Sequence, residues 1–433
     1  MTDILQLPKE LQYFILAKID GISLCMVQRT CSQWRDIVFD LESHFNVWLR
    51  CCIKEIPNEI FVKLAGTTEL HDINQINSTA RNGLKKLHWL FWKQMYIEYI
   101  TFGKVGKWKP DKTEITLNNS NYGVSTALDF KDNFLVSGHK DGSVVVWDDL
   151  NATEHDEQMG IHMVSYHFRD VSDVKVITER NEGERIKVIV SSSLSSRVHI
   201  TDLMGKETEI RQYFSKQVNA VSVWGQYFVV AANSSMASGQ KVEVVSTPMS
   251  TEVVWELHGH KTSDLSAVAM WADEIVTGDF SGNLMSWKLA PDQVTNSDPV
   301  LLAQFEVSVK YICLQGKNVI ILLGDGSISF CGQERVFKRV LRQSLFEVLR
   351  GTPDCITLHG PLLAVCVTFG SFYLYYVPNQ DCWDNLDLMA PLTRVCTEKP
   401  LITAISLGHH GTGPLVAVAT DDGAISIYKW RPP

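Results

Sequence analysis

No apolar run in this sequence is long enough to cross a membrane. The longest, such as VIILL at 319–323, stop far short of the ~20 residues a spanning helix needs. The opening residues, MTDILQLPKE, lack the basic-then-apolar pattern of a secretory signal, so an intracellular, soluble protein is expected, with no membrane partner. Positive charge is not in excess: 40 basic against 49 acidic residues leave a net −9, which argues against nucleic acid as the partner. The balance is uneven, netting −1 over residues 1–52, +3 over 53–121 and −11 over 122–433. None of the ten cysteines forms a CxxC pair or a Cys/His set with zinc-finger spacing; most sit in apolar stretches and read as buried thiols in a reducing compartment. GxxxxGK[ST], GxSxG and HExxH are all missing. GDGS at 324–327 and TDDG at 420–423 read as strand-to-strand turns, where Asp-Gly is favoured by conformation. His409-His410 reads as a loop pair with no partner for a metal. The expectation is a non-enzyme with no catalytic centre, metal or cofactor.

What the chain does have is two textures. Its 433 residues give a soft prior of roughly three domains, which a large β-domain with a small helical one also fits; 45% hydrophobic and 21% charged residues can bury large cores. The first ~52 residues predict three or four short helices. Pro8 suits a first turn, and Leu11, Ile15, Leu16 and Ile19 recur at helical spacing. Asp20-Gly21 stops that helix, Ser23 caps a second carrying Leu24 and Val27, Trp34, Ile37 and Val38 mark a third, and Phe45, Trp48 and Leu49 a fourth. So small a unit is marginal alone, and surplus apolar residues on it imply a docking face.

Leu7-Pro8-x-Glu10, Ile15-Leu16, Ile19-Asp20, Leu24, Cys31, Trp34-Arg35 and Trp48 stand in the register of a known motif, and the segment resembles an F-box. It departs at Thr30, where Val is usual, and at Ile19, where Leu is commoner. Residues 80–102 then place Leu84, Leu87, Leu90, Phe91 and Met95 on one helical face, while Trp89, Trp92, Tyr96 and Tyr99 make the helix apolar nearly all round. The Trp92, Lys93, Tyr96 string resembles the linker helix of F-box proteins that carry a propeller, a semi-rigid spacer.

From about residue 122 short strands and glycine turns recur. LVSGHKDGSVVVWD (135–148) and IVTGDFSGNLMSWK (275–288) are the clearest copies. Anchors fall at Trp147, Ile200, Val245, Trp287, Phe330, Tyr375 and Tyr428, with gaps of 53, 45, 42, 43, 45 and 53 residues. WD-type blades repeat every ~40–45 residues, and a lone blade cannot bury its own faces, so the copies must stack radially. They resemble degenerate WD repeats. Blade one keeps Ser137, Asp141 and Trp147 but lacks the histidine; blade four keeps His260, Thr277 and Trp287 but has Ser281 where Asp is usual. The chain ends after a third strand, so Thr113–Leu117 is expected to supply the last blade's outer strand.

The fold class expected is therefore an all-β, seven-bladed WD-repeat propeller (113–433, closing strand 113–117), preceded by a small all-α F-box (1–52) and a helical linker (53–112). The resemblance implies a non-catalytic substrate receptor of a cullin-based SCF ubiquitin ligase: the F-box docks a Skp-family adaptor, through it a cullin, and the propeller binds the target protein. A scaffold acting outside any ligase is the alternative; cytoplasm and nucleus both remain open. Leu7, Pro8, Leu11, Leu16, Leu24, Trp34 and Trp48 are the adaptor-face candidates, some of which must pack the F-box's own core. Arg335, Lys338, Arg339 and Arg342, with Arg350, read either as a cationic grip on an acidic peptide or as basic residues guarding an outer strand.

Overall fold

The protein is described by a computed structural model covering residues 7–65, 89–115, 123–131, 134–147, 161–181, 184–203, 208–212, 217–225, 227–232, 236–243, 250–260, 263–289, 298–397, 401–410 and 413–431. Helix α1 (Lys9–Leu16) starts directly after Pro8. Helix α2 (Gly21–Val27) is capped by Asp20, not Ser23: the carboxylate accepts from the Ser23 backbone N–H and hydroxyl, both at 2.8 Å. Hydrogen bonding to that carboxylate lowers its pKa. Helix α3 (Ser32–Phe45) stops at Asn46, whose left-handed backbone (φ 45°) turns the chain into α4 (Val47–Glu55). Helix α5 (Asn58–Ala65) follows, so the helical head runs on past residue 52.

Helix α6 (Trp89–Phe102) is the linker, and its buried face differs from the one read in the sequence. Leu90 is exposed, whereas Trp92, Met95, Tyr96, Tyr99 and Phe102 are buried; Leu84 and Leu87 lie outside the described residues. Periodicity could not choose between two apolar stripes on one helix. Through the aromatic stripe a single core runs from Leu16 and Trp48 through Trp92 and Phe102 to Phe372, Val416 and Trp430. Head, linker and β-body are thus packed together rather than tethered.

The described strands form seven four-stranded antiparallel sheets. Their first strands, Ser125–Lys131, Val171–Asn181, Val218–Trp224, Leu265–Trp271, Val309–Gln315, Pro353–His359 and Ile402–His410, each touch the next, and the last touches the first. They surround a central channel, making the body a β-propeller. All seven slip register by one residue near their start, bulging Thr126, Ser172, Asn219, Ser266, Lys310, Asp354 and Thr403 out of the ladder. Four of these pin successive sheets together, each donating at 2.6 Å to a neighbouring inner-strand carbonyl: Thr126 to Val171, Ser172 to Val218, Asn219 to Leu265 and Ser266 to Val309. Lys310 and Asp354 replace the fifth pin with an ion pair. The buried Thr403 hydroxyl, at the seam where the ring closes, has no hydrogen-bond partner among the described residues.

Asp111–Ile115 pairs antiparallel with Ile425–Lys429, Thr113 opposite Ile427, so a strand from the N-terminal side completes the last sheet. It starts two residues before the expected 113–117, and Thr116 and Leu117 lie outside the described residues. In an antiparallel pair alternate residues face the partner's hydrogen-bonding groups. One of Lys112→Pro and Thr113→Pro is therefore expected to delete a ladder bond and cost about 1–3 kcal/mol. Thermal unfolding of both variants checks this; two variants melting with the wild type would deny the strand a closing role.

The repeat anchors Trp147, Ile200, Trp287, Phe330, Tyr375 and Tyr428 are buried, and Val245 lies outside the described residues. In the first sheet the missing histidine is replaced from another position: Trp147 Nε1 donates to Ser137 Oγ at 2.8 Å, and Ser137 bonds His139 Nε2 at 2.8 Å. Asp141 instead binds its own turn at Ser143. In the fourth sheet His260 bridges Thr277 (2.7 Å) and Asp279 (2.8 Å), so the carboxylate comes from position 279 rather than 281. A third imidazole, His167, bonds Ser191 at 2.9 Å and stacks on His199 at 3.8 Å. His409 and His410 end an inner strand rather than a loop, and His409 bonds His359 at 2.7 Å.

Candidate docking surfaces

The N-terminal helices expose large apolar side chains that α1 to α3 do not use internally. Phe14 is 63% and Met26 60% exposed, and Leu11, Ile22 and Phe39 are exposed too. Leu11 and Phe14 are three residues apart on α1, Ile22 and Met26 four apart on α2, so each pair shares a helix face. Of the sequence candidates, Pro8 and Leu11 are exposed, and Leu7 and Trp34 half-buried. Leu16, Leu24 and Trp48 belong inside: each is under 5% exposed and packs the shared core, so they shape the head but cannot form its face. Phe14, Ile22, Met26 and Phe39 escaped sequence reasoning. The i, i+3 and i, i+4 pairs were the available signal.

This surface is held rigidly to the propeller. Glu42, buried on α3, has one carboxylate oxygen shared by three donors: Lys93 Nζ at 2.7 Å, Trp48 Nε1 at 2.9 Å and the Gln28 amide. Lys93 also lies 5.5 Å from the Trp48 ring centroid. Next along α6, Tyr96 donates to Glu55, whose other oxygen accepts from the Gly21 N–H at 3.1 Å. Burial and this bond push the Tyr96 hydroxyl's pKa far up. A Cβ at Gly21 would lie 2.4 Å from the Tyr96 ring, so only glycine lets α2 sit there. Trp92 stacks on Phe61 of α5, centroids 5.9 Å apart. Each residue of the Trp92, Lys93, Tyr96 string thus joins the linker to the head.

The basic cluster does not converge on a pocket. Arg335 grips Glu274 through both carboxylate oxygens (2.7 and 2.6 Å), Arg339 bonds Asp325 at 2.9 Å, and Lys338 donates to the Asp384 carbonyl. Lys338–Val340 is the outer strand of the fifth sheet, and Arg342 opens the following helix, Arg342–Leu349. These cations guard a bare sheet edge, and their charge is largely spoken for. Apolar exposure lies elsewhere. Phe280 and Phe369 sit in turns between second and third strands, and Phe168 in the connection from first sheet to second; all are exposed, Phe168 to 74%. Helix α5 covers the opposite end of the channel, with Glu59 against Gly316 and Ile60 and Leu64 against Gly360, both in turns between first and second strands. The aromatics therefore occupy the propeller face turned away from the head.

Among the described residues no helix is long and apolar enough to cross a membrane, and no group of three or more His, Cys, Asp or Glu could hold a metal.

Residues 4–50 match the F-box-like family. A curated relative, the "Probable E3 ubiquitin ligase complex SCF subunit sconB" of Arthroderma otae, is 24% identical over 149 residues; the match covers 33% of this chain and 22% of that protein. The chain thus spans about a fifth of that relative's length. Among solved structures, the Myceliophteria thermophila Cps50 (Swd1) β-propeller domain superposes with a TM-score of 0.51 at 16% identity, covering 73% of this chain and 99% of that one. The computationally designed Ika8 protein gives 0.45 at 15% identity, over 73% and 98%. The chain therefore carries an F-box-like segment at residues 4–50, in a helical head packed on a β-propeller.

Proposed function

We propose that this protein is a non-catalytic substrate receptor of an SCF-type ubiquitin ligase, with the F-box docking a Skp-family adaptor and the propeller presenting the target. The observation that carries the reading is the pairing of unused apolar side chains on the head (Leu11, Phe14, Ile22, Met26) with a linker that fixes the head to the β-body. A rigid connection holds a captured protein at a set distance from the ligase, raising its effective concentration there. We read the seven sheets as degenerate WD-type blades, and Phe168, Phe280 and Phe369 as the face that meets the target. Cytoplasm or nucleus would both suit this role.

Tagged full-length protein is expected to co-purify an adaptor and a cullin. Buried aromatic and aliphatic anchors in such interfaces are each worth ~2 kcal/mol or more, so Leu11→Ala with Phe14→Ala is expected to weaken adaptor binding about 100-fold or more. Both side chains are exposed, so the melting temperature should barely move. Undiminished adaptor binding would refute the docking assignment, and adaptor without cullin would favour a scaffold outside the ligase.

A further inference from the structure

The end of the propeller channel beneath α5 carries more positive than negative charge. Lys63 of α5, Lys131 and Lys175 line the same 390 Å³ cavity as Asp129, Asp173 and His359. Three ammonium groups therefore face two carboxylates. Asp173 is committed on both oxygens, to Lys175 Nζ at 2.7 Å and to the Val221 N–H at 3.0 Å. Asp129 accepts from the Val176 N–H at 2.7 Å. Among the described residues, Lys63 and Lys131 make no ion pair.

Two of the basic groups here, Lys63 and His359, are pushed towards their neutral forms, whereas Asp173 and Asp129 hold Lys175 charged. Burial, then the Lys131 ammonium, pushes Lys63 down to about 8. Burial, then His409 and Lys63, holds His359 well below its ordinary value. The Cys313 thiol is pushed up to about 12 by burial and supplies no negative charge. Uncompensated charge in a confined cavity is costly, and an anion is what would balance it.

We propose that the α5-covered end of the channel is a binding site for a small phosphate-type oxyanion, held by Lys63 and Lys131 with Lys175 behind them. Lysine binds phosphate as a point charge, without the geometric demands of a guanidinium fork. The contacts of Glu59, Ile60 and Leu64 close this end, while Lys310 and Asp354 mark the other as open to solvent. The ligand therefore arrives along the channel and must be small. Once bound it bridges α5 to the first sheet, joining the head's last helix to the propeller by charge as well as by packing.

Inorganic pyrophosphate is the probe, titrated into full-length protein at low salt by calorimetry and by thermal shift. Saturable binding is expected, raising the melting temperature by about 4 °C at a hundredfold excess over Kd. Lys63→Met and Lys131→Met should each weaken binding about tenfold or more. Each should also raise the melting temperature of the anion-free protein, because a repelling charge has gone; that readout also shows that the variant folds. Lys63→Arg should retain binding, and Lys310→Met, at the open rim, should not change it. No heat of binding at millimolar pyrophosphate, equal losses in Lys63→Met and Lys310→Met, or binding of a phosphoserine peptide but not of pyrophosphate would each overturn the site.

Discussion

Glu42→Ala is expected to lower the unfolding free energy by about 3–5 kcal/mol, the usual cost of removing one partner from a buried charged network. Three donors meet on one oxygen of this carboxylate: the Lys93 ammonium, the Trp48 indole and the Gln28 amide. Trp48 is fully buried and Lys93 only 23% exposed, so water cannot replace what is lost at the indole and replaces it poorly at the amine. The donors come from the C-cap of α2, from α4 and from α6, so the substitution loosens the head from its linker as well as from itself. Glu42→Gln keeps an acceptor but loses the charge, and should cost less. Lys93→Met added to Glu42→Ala should recover part of the loss, because the orphaned ammonium is then gone; a double-mutant cycle isolates that coupling. Chemical denaturation of wild type, Glu42→Ala, Glu42→Gln, Lys93→Met and the double variant is the measurement. A Glu42→Ala protein within about 1 kcal/mol of wild type would show that the network is ornamental.

The same carboxylate marks where sequence reading ran out. The F-box register was legible because Leu7-Pro8, Ile15-Leu16, Trp34-Arg35 and Trp48 are spaced residues of distinctive type. Which of them face out was not legible, because α1 and α2 are apolar on more than one side. Leu16 and Leu24 went inward with Trp48, leaving Leu11, Phe14, Ile22 and Met26 outside. Glu42 gave no signal at all: an acidic residue in mid-helix reads as solvated until tertiary structure brings Trp48 and Lys93 to it. The propeller was legible from spaced anchors such as Trp147 and Trp287, which need only a buried position at a fixed interval. Its polar pins were not. Thr126, Ser172, Asn219 and Ser266 share a role and a bulge but no single residue type, and a backbone slip leaves no pattern of its own. The basic run at 335–342 was visible, yet its meaning lay in Glu274 and Asp325, remote in sequence and adjacent in space.

A second large effect follows from the imidazoles that the degenerate repeats have buried. Burial pushes His167 down to about 3 and His199 to about 4, and it lowers His139, His260 and His359 as well. Each folds neutral, whereas the unfolded chain takes up a proton near pH 6.5. The unfolded state therefore binds more protons below that pH, and stability must fall as the solution is acidified. Between pH 7.5 and 5, a histidine whose folded pKa lies well below 5 loses about 2 kcal/mol of its contribution, so His167 and His199 together account for about 4 kcal/mol. His139, His260 and His359 add in the same direction. The lowered carboxylates, Asp20 and Asp325, act only near and below their ordinary range around pH 4, outside this window. Asp129, raised by burial, opposes the loss weakly by favouring its neutral form. Against a total stability of ~5–15 kcal/mol, the protein should approach unfolding near pH 5 while remaining secure at pH 7.5. Denaturation midpoints across that range, repeated for His167→Gln with His199→Gln, provide the check. The doubly substituted protein should start less stable at pH 7.5, having lost the Ser191 and Ser165 hydrogen bonds, yet show a markedly shallower slope. An unchanged slope would mean that these rings are not the source of the acid sensitivity.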